Sequence, residues 1–147
     1  MRQFAGALGG GGGPPPFASI CATALRSTNI ATSSTVAYVN AVTLAVGALP
    51  AADYWLEVDA YYSQENIFEG DCQLQLTQNG AELANNRGHS NGTGIAAQDG
   101  KNLFADHRIV TLPAAAYTFA LNFRVGAPSG LGDEAAVFWA RLNLWSF

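Results

Sequence analysis

Ser90, Asp106 and His107 are the residues best equipped for chemistry. Gly88-His89-Ser90-Asn91-Gly92 fits Gly-x-Ser-x-Gly, and an aspartate and a histidine follow it in the order Ser, Asp, His. A serine in that motif becomes a nucleophile only where a strand runs straight into a helix, because the strained turn then presents the hydroxyl and the next amide forms an oxyanion hole. Here the motif lies in an Asn- and Gly-rich stretch with no helical spacing after it. Asp106 and His107 are adjacent in an expected strand, which sends their side chains to opposite faces. The pattern therefore argues against a hydrolase, and the chain reads as non-enzymatic.

Metal chemistry is equally unsupported. His89 and His107 lack the i, i+2 or i, i+4 spacing that aims two imidazoles at one ion. Glu65, Glu69 and Asp71 offer oxygen ligands without a calcium-loop pattern and read as a solvated turn. No metal or cofactor is expected. Glu57, Asp59, Glu65 and Glu134 could supply a carboxylate pair for glycoside cleavage, but the spacing favours a different use of the first two. Trp55, Glu57, Asp59 and Tyr61 alternate on one outward strand face. Two rings with two carboxylates suit stacking on a glycan, and they equally suit a subunit contact. The contact is preferred, since large outward rings are most simply buried by a sister chain.

The elements that would carry these residues are strands. From Phe17 onward apolar and polar residues alternate with period two in successive stretches, and no helical spacing competes. In the strand from Tyr54 to Tyr62, the residues Tyr54, Leu56, Val58 and Ala60 belong in the core. Cys72, Leu74 and Leu76 point inward, and Asn79-Gly80 forms a two-residue hairpin turn into residues 81–84. A polar loop is expected from Asn85 to about Gly100, followed by a strand over 103–112. Tyr117, Phe119, Leu121, Phe123 and Val125 form a third apolar face. The final strand, about Glu134 to Phe147, is read with Phe138, Ala140, Leu142 and Leu144 inward. Its other face keeps Val137, Trp139, Trp145 and Phe147, too apolar to leave in water. Trp139, Trp145 and Phe147, with Trp55 and Tyr61, are thus the candidate subunit interface.

Leu49-Pro50-Ala51-Ala52-Asp53-Tyr54 and Leu112-Pro113-Ala114-Ala115-Ala116-Tyr117 share Leu-Pro-Ala-Ala-x-Tyr, each opening a long strand. Proline ends the preceding strand by removing a ladder donor, and the tyrosine enters the core. Two such corners suit a two-sheet sandwich.

Composition sets the context. The 147 residues fit one domain, with 49% apolar residues but only 12% charged ones, where soluble domains carry about 25%. A surface of Ala, Gly, Asn, Thr, Ser and Gln suits contact with other subunits. The net charge of -4, a sole lysine (Lys101) and scattered arginines argue against direct nucleic-acid or anionic-membrane binding. Cys21 and Cys72 show neither zinc nor redox spacing. Buried free thiols are the default, with one disulfide the alternative. No apolar leader follows Met1, so cytoplasmic synthesis is expected. Residues 1–16 read as an anchoring arm on a 17–147 domain. Gly9 to Gly13 give slack and Pro14, Pro15 and Pro16 give extension, while Arg2, Phe4 and Leu8 provide grip.

Ser33-Ser34-Thr35-Val36-Ala37-Tyr38-Val39-Asn40, the later Leu-Pro-Ala corner and the strand opening at Tyr54 resemble jelly-roll modules of bacteriophage virion proteins. The resemblance spans about Asn29 to Phe147, and sandwiches of the tumour-necrosis-factor and C1q type share the architecture. It implies an all-β jelly-roll sandwich of two antiparallel sheets with an extended N-terminal arm. It also implies a homotrimer made in the bacterial cytoplasm and placed in the virion, docked on the major capsid protein as a decoration or cement protein. A tail or head fibre or tail-tip subunit is the nearby alternative, and a carbohydrate-binding module for host recognition is a different one.

Overall fold

A computed structural model describes residues 19–65, 71–89, 100–126 and 134–147. The arm residues Arg2, Phe4, Leu8, Pro14, Pro15 and Pro16, the Ser90-Asn91-Gly92 part of the hydrolase-like motif, and Glu69 lie outside the described residues.

Among the described residues the chain is all strand: β1 (Ser19–Arg26), β2 (Ile30–Thr32), β3 (Val39–Leu49), β4 (Ala52–Glu65), β5 (Asp71–Gln78), β6 (Ala81–His89), β7 (Gly100–Leu112), β8 (Ala115–Val125) and β9 (Glu134–Ser146). One sheet has the order β1-β9-β4-β7, with β2 also paired to β9, and the other has the order β3-β8-β5-β6. Every pairing is antiparallel, and the partners nest: β5 with β6, β4 with β7, β3 with β8, β1 with β9. A long hairpin rolled into two sheets in this way is a jelly roll. The expected all-β sandwich of two antiparallel sheets holds, and the extended arm expected with it lies outside the described residues.

The core lies between the sheets. Tyr54, Leu56, Val58 and Ala60 of β4 and Leu142 and Leu144 of β9 face Leu44 of β3, Leu74 and Leu76 of β5, and Phe119, Leu121 and Phe123 of β8 across it, all buried. Period-two alternation put the β4, β5 and β8 residues on one side of their strands, so burying one face hides the leucine, valine and phenylalanine side chains of all three. Asn79 (φ 50°) and Gly80 (φ 81°) form the tight turn between β5 and β6. Positive φ at both positions matches the right-handed twist of a two-residue hairpin. Asn79 also donates its backbone N–H to Thr118 O at 2.7 Å and accepts from Thr118 N through Oδ1 at 2.9 Å, tying the turn to β8.

The two Leu-Pro-Ala-Ala-x-Tyr corners are equivalent in structure. Tyr54 donates its hydroxyl hydrogen to Pro50 O at 2.8 Å, and Tyr117 donates to Pro113 O at 2.6 Å. Proline leaves its carbonyl free to accept, and the tyrosine four residues later satisfies it without leaving the core. The remaining side of the sandwich, between edge strands β7 and β6, is closed by Arg108, which pairs with Asp106 and donates to Leu83 O at 3.0 Å.

Three expectations need correction. The loop after the hairpin is shorter than residues 85–100, since β6 continues to His89 and β7 already begins at Gly100. The amides of β6 pair with β5 across the sheet, and Gln73 Nε2 donates to Asn85 Oδ1 at 2.7 Å, so polar residues are held in a strand here by bonds to one another. In β9, Val137 is fully buried while Phe138 is only half-buried. Tyr61 pairs with Trp139 and Tyr62 with Val137, so Phe138 is the extra residue of a bulge that reverses the inward-outward alternation at that point. Finally, the cysteines are both free but unlike, Cys72 buried in β5 and Cys21 exposed in β1.

Candidate binding face on the five-stranded sheet

The residues opposite the core on β4 set the site, and strand register determines what joins them. Trp55 pairs with Trp145 of β9 and Ile109 of β7, and Trp145 pairs in turn with Ile20 of β1. The next outward row holds Thr23, Asn143, Glu57 and His107, and the third holds Leu25, Arg141, Asp59 and Ala105. Trp139, Tyr61 and Leu103 make the fourth. Two aromatic rows thus flank two polar ones. Trp55 and Tyr61 stand six residues apart on one strand, which sets the aromatic rows about 20 Å apart.

The polar rows are internally bonded. Thr23 Oγ1 donates to Asn143 Oδ1 at 2.5 Å, and Asn143 Nδ2 donates to Glu57 Oε2 at 2.7 Å. Trp145 Nε1 reaches the same carboxylate oxygen at 3.4 Å. Glu57 is only 8% exposed and Asn143 4%. A carboxylate so placed persists because its lone pairs are met by donors, and Arg141 lies 3.9 Å away. Arg141 itself pairs with Asp59 and lies over the Trp139 ring at 5.6 Å. His107 Nε2 stands 3.9 Å from Glu57 and 3.8 Å from Asp59, its ring stacked on Trp55 at 6.0 Å. Asp106 turns to the other side of β7 to meet Arg108, so Asp106 and His107 do point apart, as expected.

Of the proposed contact residues, Trp55, Tyr61, Trp139 and Trp145 share this face, and Phe147 follows β9 at its end, 47% exposed. The sequence reading missed Asn143, Arg141 and His107 as neighbours of Glu57 and Asp59, since only cross-strand register joins them. Ile20, Leu25, Leu103 and Ile109 were also missed. Leu103 and Ile109 each stand directly before another apolar residue, Phe104 and Val110, and local order does not say which of the two faces outward.

The outer face of the four-stranded sheet is of another kind. Asn40 Nδ2 donates to Asn122 Oδ1 at 3.0 Å, Gln75 Nε2 to Glu82 Oε2 at 2.8 Å, and Arg124 Nε to Gln73 Oε1 at 2.8 Å. Among the described residues no large exposed apolar side chain stands on β3, β5, β6 or β8, whereas Ile20, Leu25, Tyr61, Leu103 and Ile109 all stand on the outer face of the five-stranded sheet. Also among the described residues, no three His, Cys, Asp or Glu groups could hold a metal ion.

No protein-family model matches the chain, and no curated protein sequence matches it. Solved structures do. Insecticidal delta-endotoxin Cry8Ea1 from Bacillus thuringiensis is similar over 82% of this chain and 18% of its own, at 13% identity and a TM-score of 0.45. Dimeric latent PorU from Porphyromonas gingivalis is similar over 92% of this chain and 14% of its own, at 12% identity and a TM-score of 0.47. The chain therefore spans less than a fifth of the length of either of these two proteins. A family 35 carbohydrate binding module from Clostridium thermocellum is similar over 85% of this chain and 96% of its own, at 14% identity and a TM-score of 0.36.

Proposed function

We propose that this protein is a non-enzymatic virion structural module, a homotrimer that docks on the major capsid protein through its N-terminal arm and stabilises the shell. The observation that carries the assembly reading is the contrast between the two outer faces. One sheet presents amides that bond to one another, and the other presents two rows of indole, phenol and aliphatic surface. Water solvates the first at no cost, while the second gains from contact with another chain. Placement in a phage particle rests on the resemblance of the Ser33 to Asn40 segment and the proline corners to virion jelly rolls. A module that binds only the assembled lattice shifts the equilibrium toward it by mass action. Deleting residues 1–16 tests the docking step: the truncated protein should keep its oligomeric mass yet no longer sediment with purified shells. Normal sedimentation of the truncated protein would remove the arm from the mechanism.

A second reading has its own support. Trp55 with Trp145, and Tyr61 with Trp139, bracket a hydrogen-bonding strip of Glu57, Asp59, Arg141 and His107, and rings beside polar groups suit a glycan that stacks and hydrogen-bonds at once. A glycan array probed with the native protein and with Trp55→Ala separates the readings, since only a sugar-binding face loses an array signal on losing the ring.

A further inference from the structure

We infer that the oligomer closes head to tail, with the β1 edge of the five-stranded sheet in one copy seated against the β7 edge of the next. This rests on the oligomeric reading above and adds its geometry. The outward aliphatic residues are not spread evenly over the face. Ile20 and Leu25 stand on β1, 51% and 61% exposed, and Leu103 and Ile109 stand on β7, 70% and 60% exposed. These are the two opposite edges of the sheet. Between them run the paired charges of Glu57, Asp59 and Arg141.

That layout disfavours two other arrangements. Laying the face flat on its own copy would strip water from the Asp59–Arg141 pair and its Glu57 neighbour, and dehydrating an ion pair costs more than the contact returns unless new partners replace the water. Joining two copies by one edge through a two-fold axis would cover one aliphatic pair and leave the other in water. A cyclic, heterologous contact joins two different patches and repeats until it closes, so both pairs are covered in every copy. Strand direction permits it. β1 is antiparallel to β9, β9 to β4 and β4 to β7, so β1 and β7 run antiparallel. Rotation about an axis along the strands preserves that relation between one copy's β1 and the next copy's β7.

The test uses the full chain in two single variants. Leu25→Glu spoils the β1 patch and leaves β7 intact, and Leu103→Glu does the reverse. Light scattering should give monomers for each variant alone and a one-to-one heterodimer on mixing, because each retains the half that the other lacks. Circular dichroism spectra matching the native protein confirm that both variants fold, and Ile20→Glu and Ile109→Glu repeat the experiment at independent positions. Either variant keeping the native mass, either dimerising alone, or a mixture that stays monomeric would overturn the head-to-tail contact while leaving oligomerisation itself standing. A native protein that is monomeric throughout would remove the oligomeric reading instead. In that case a loss of thermal stability in Leu25→Glu would assign the patches to contacts within the chain.

Discussion

Replacing Glu57 with alanine removes the acceptor around which the middle of the five-stranded face is organised. The carboxylate is nearly buried and receives a 2.7 Å bond from Asn143 Nδ2, with Trp145 Nε1 at 3.4 Å. Its loss forfeits one charge-assisted bond and leaves the Asn143 amide buried without that acceptor. Hydrogen bonds to charged groups contribute about 1.5–3 kcal/mol, and an orphaned buried donor costs about 1–3 kcal/mol. The two overlap, because both describe the same Asn143 contact, so about 3 kcal/mol is the expected destabilisation. For a domain of this size that lowers Tm by roughly 6–12 °C. The matched control is Glu82→Ala, which removes an exposed carboxylate bonded to Gln75 Nε2 at 2.8 Å on the other sheet and should cost under about 0.5 kcal/mol. Urea unfolding of both variants at neutral pH gives the comparison. Equal losses for the two would refute the reasoning, since the polar rows would then be ordinary hydrated surface.

Other outcomes follow from the same structure. Tyr54→Phe and Tyr117→Phe each remove one bond to a proline carbonyl and should each cost about 1 kcal/mol in denaturant unfolding. Gly80→Ala places a Cβ at φ 81° and should cost about 1 kcal/mol or more, read in the same assay. Native protein should react with a thiol reagent at Cys21 alone, and both cysteines should react once it is unfolded, because Cys72 is buried. Burial pushes the Cys72 thiol from 9.0 up to about 12. A folded-state pKa above the unfolded one gives stability that is complete below pH 9 and is lost as pH rises from 9 to about 12. Tyr54 and Tyr62, both raised chiefly by burial, add to that alkaline loss. Unfolding free energies measured from pH 7 to 11 should therefore fall on the alkaline side, less steeply in Cys72→Ala.

The faces of β4, β5 and β8 were legible in the sequence because each strand keeps strict alternation along its whole core stretch, so Tyr54, Leu76 and Phe123 could be placed from local order alone. β9 was half legible. Its bulge at Phe138 depends on how β4 pairs with it, and no residue within β9 announces that one position will be skipped. The polar end of β6 looked like loop because Asn85 and its neighbours favour turns, yet cross-strand amide bonds hold it as a strand. At the site, the rings at 55, 61, 139 and 145 stood out as large residues on outward positions. Glu57 did not read as buried. Its burial comes from Asn143 and Trp145, which lie 86 and 88 residues away in the chain, and only register brings them together. The opposed aliphatic edges were hidden for the same reason, since β1 and β7 become edges only once the sheet order is known.

Mass in solution bears most directly on whether the aromatic sheet face serves assembly. Light scattering of the full-length chain between micromolar and millimolar concentration should give three times the 15.4 kDa of one chain. A constant 15.4 kDa across that range would contradict it, and the exposed aliphatic edges would then need an occupant other than a second copy.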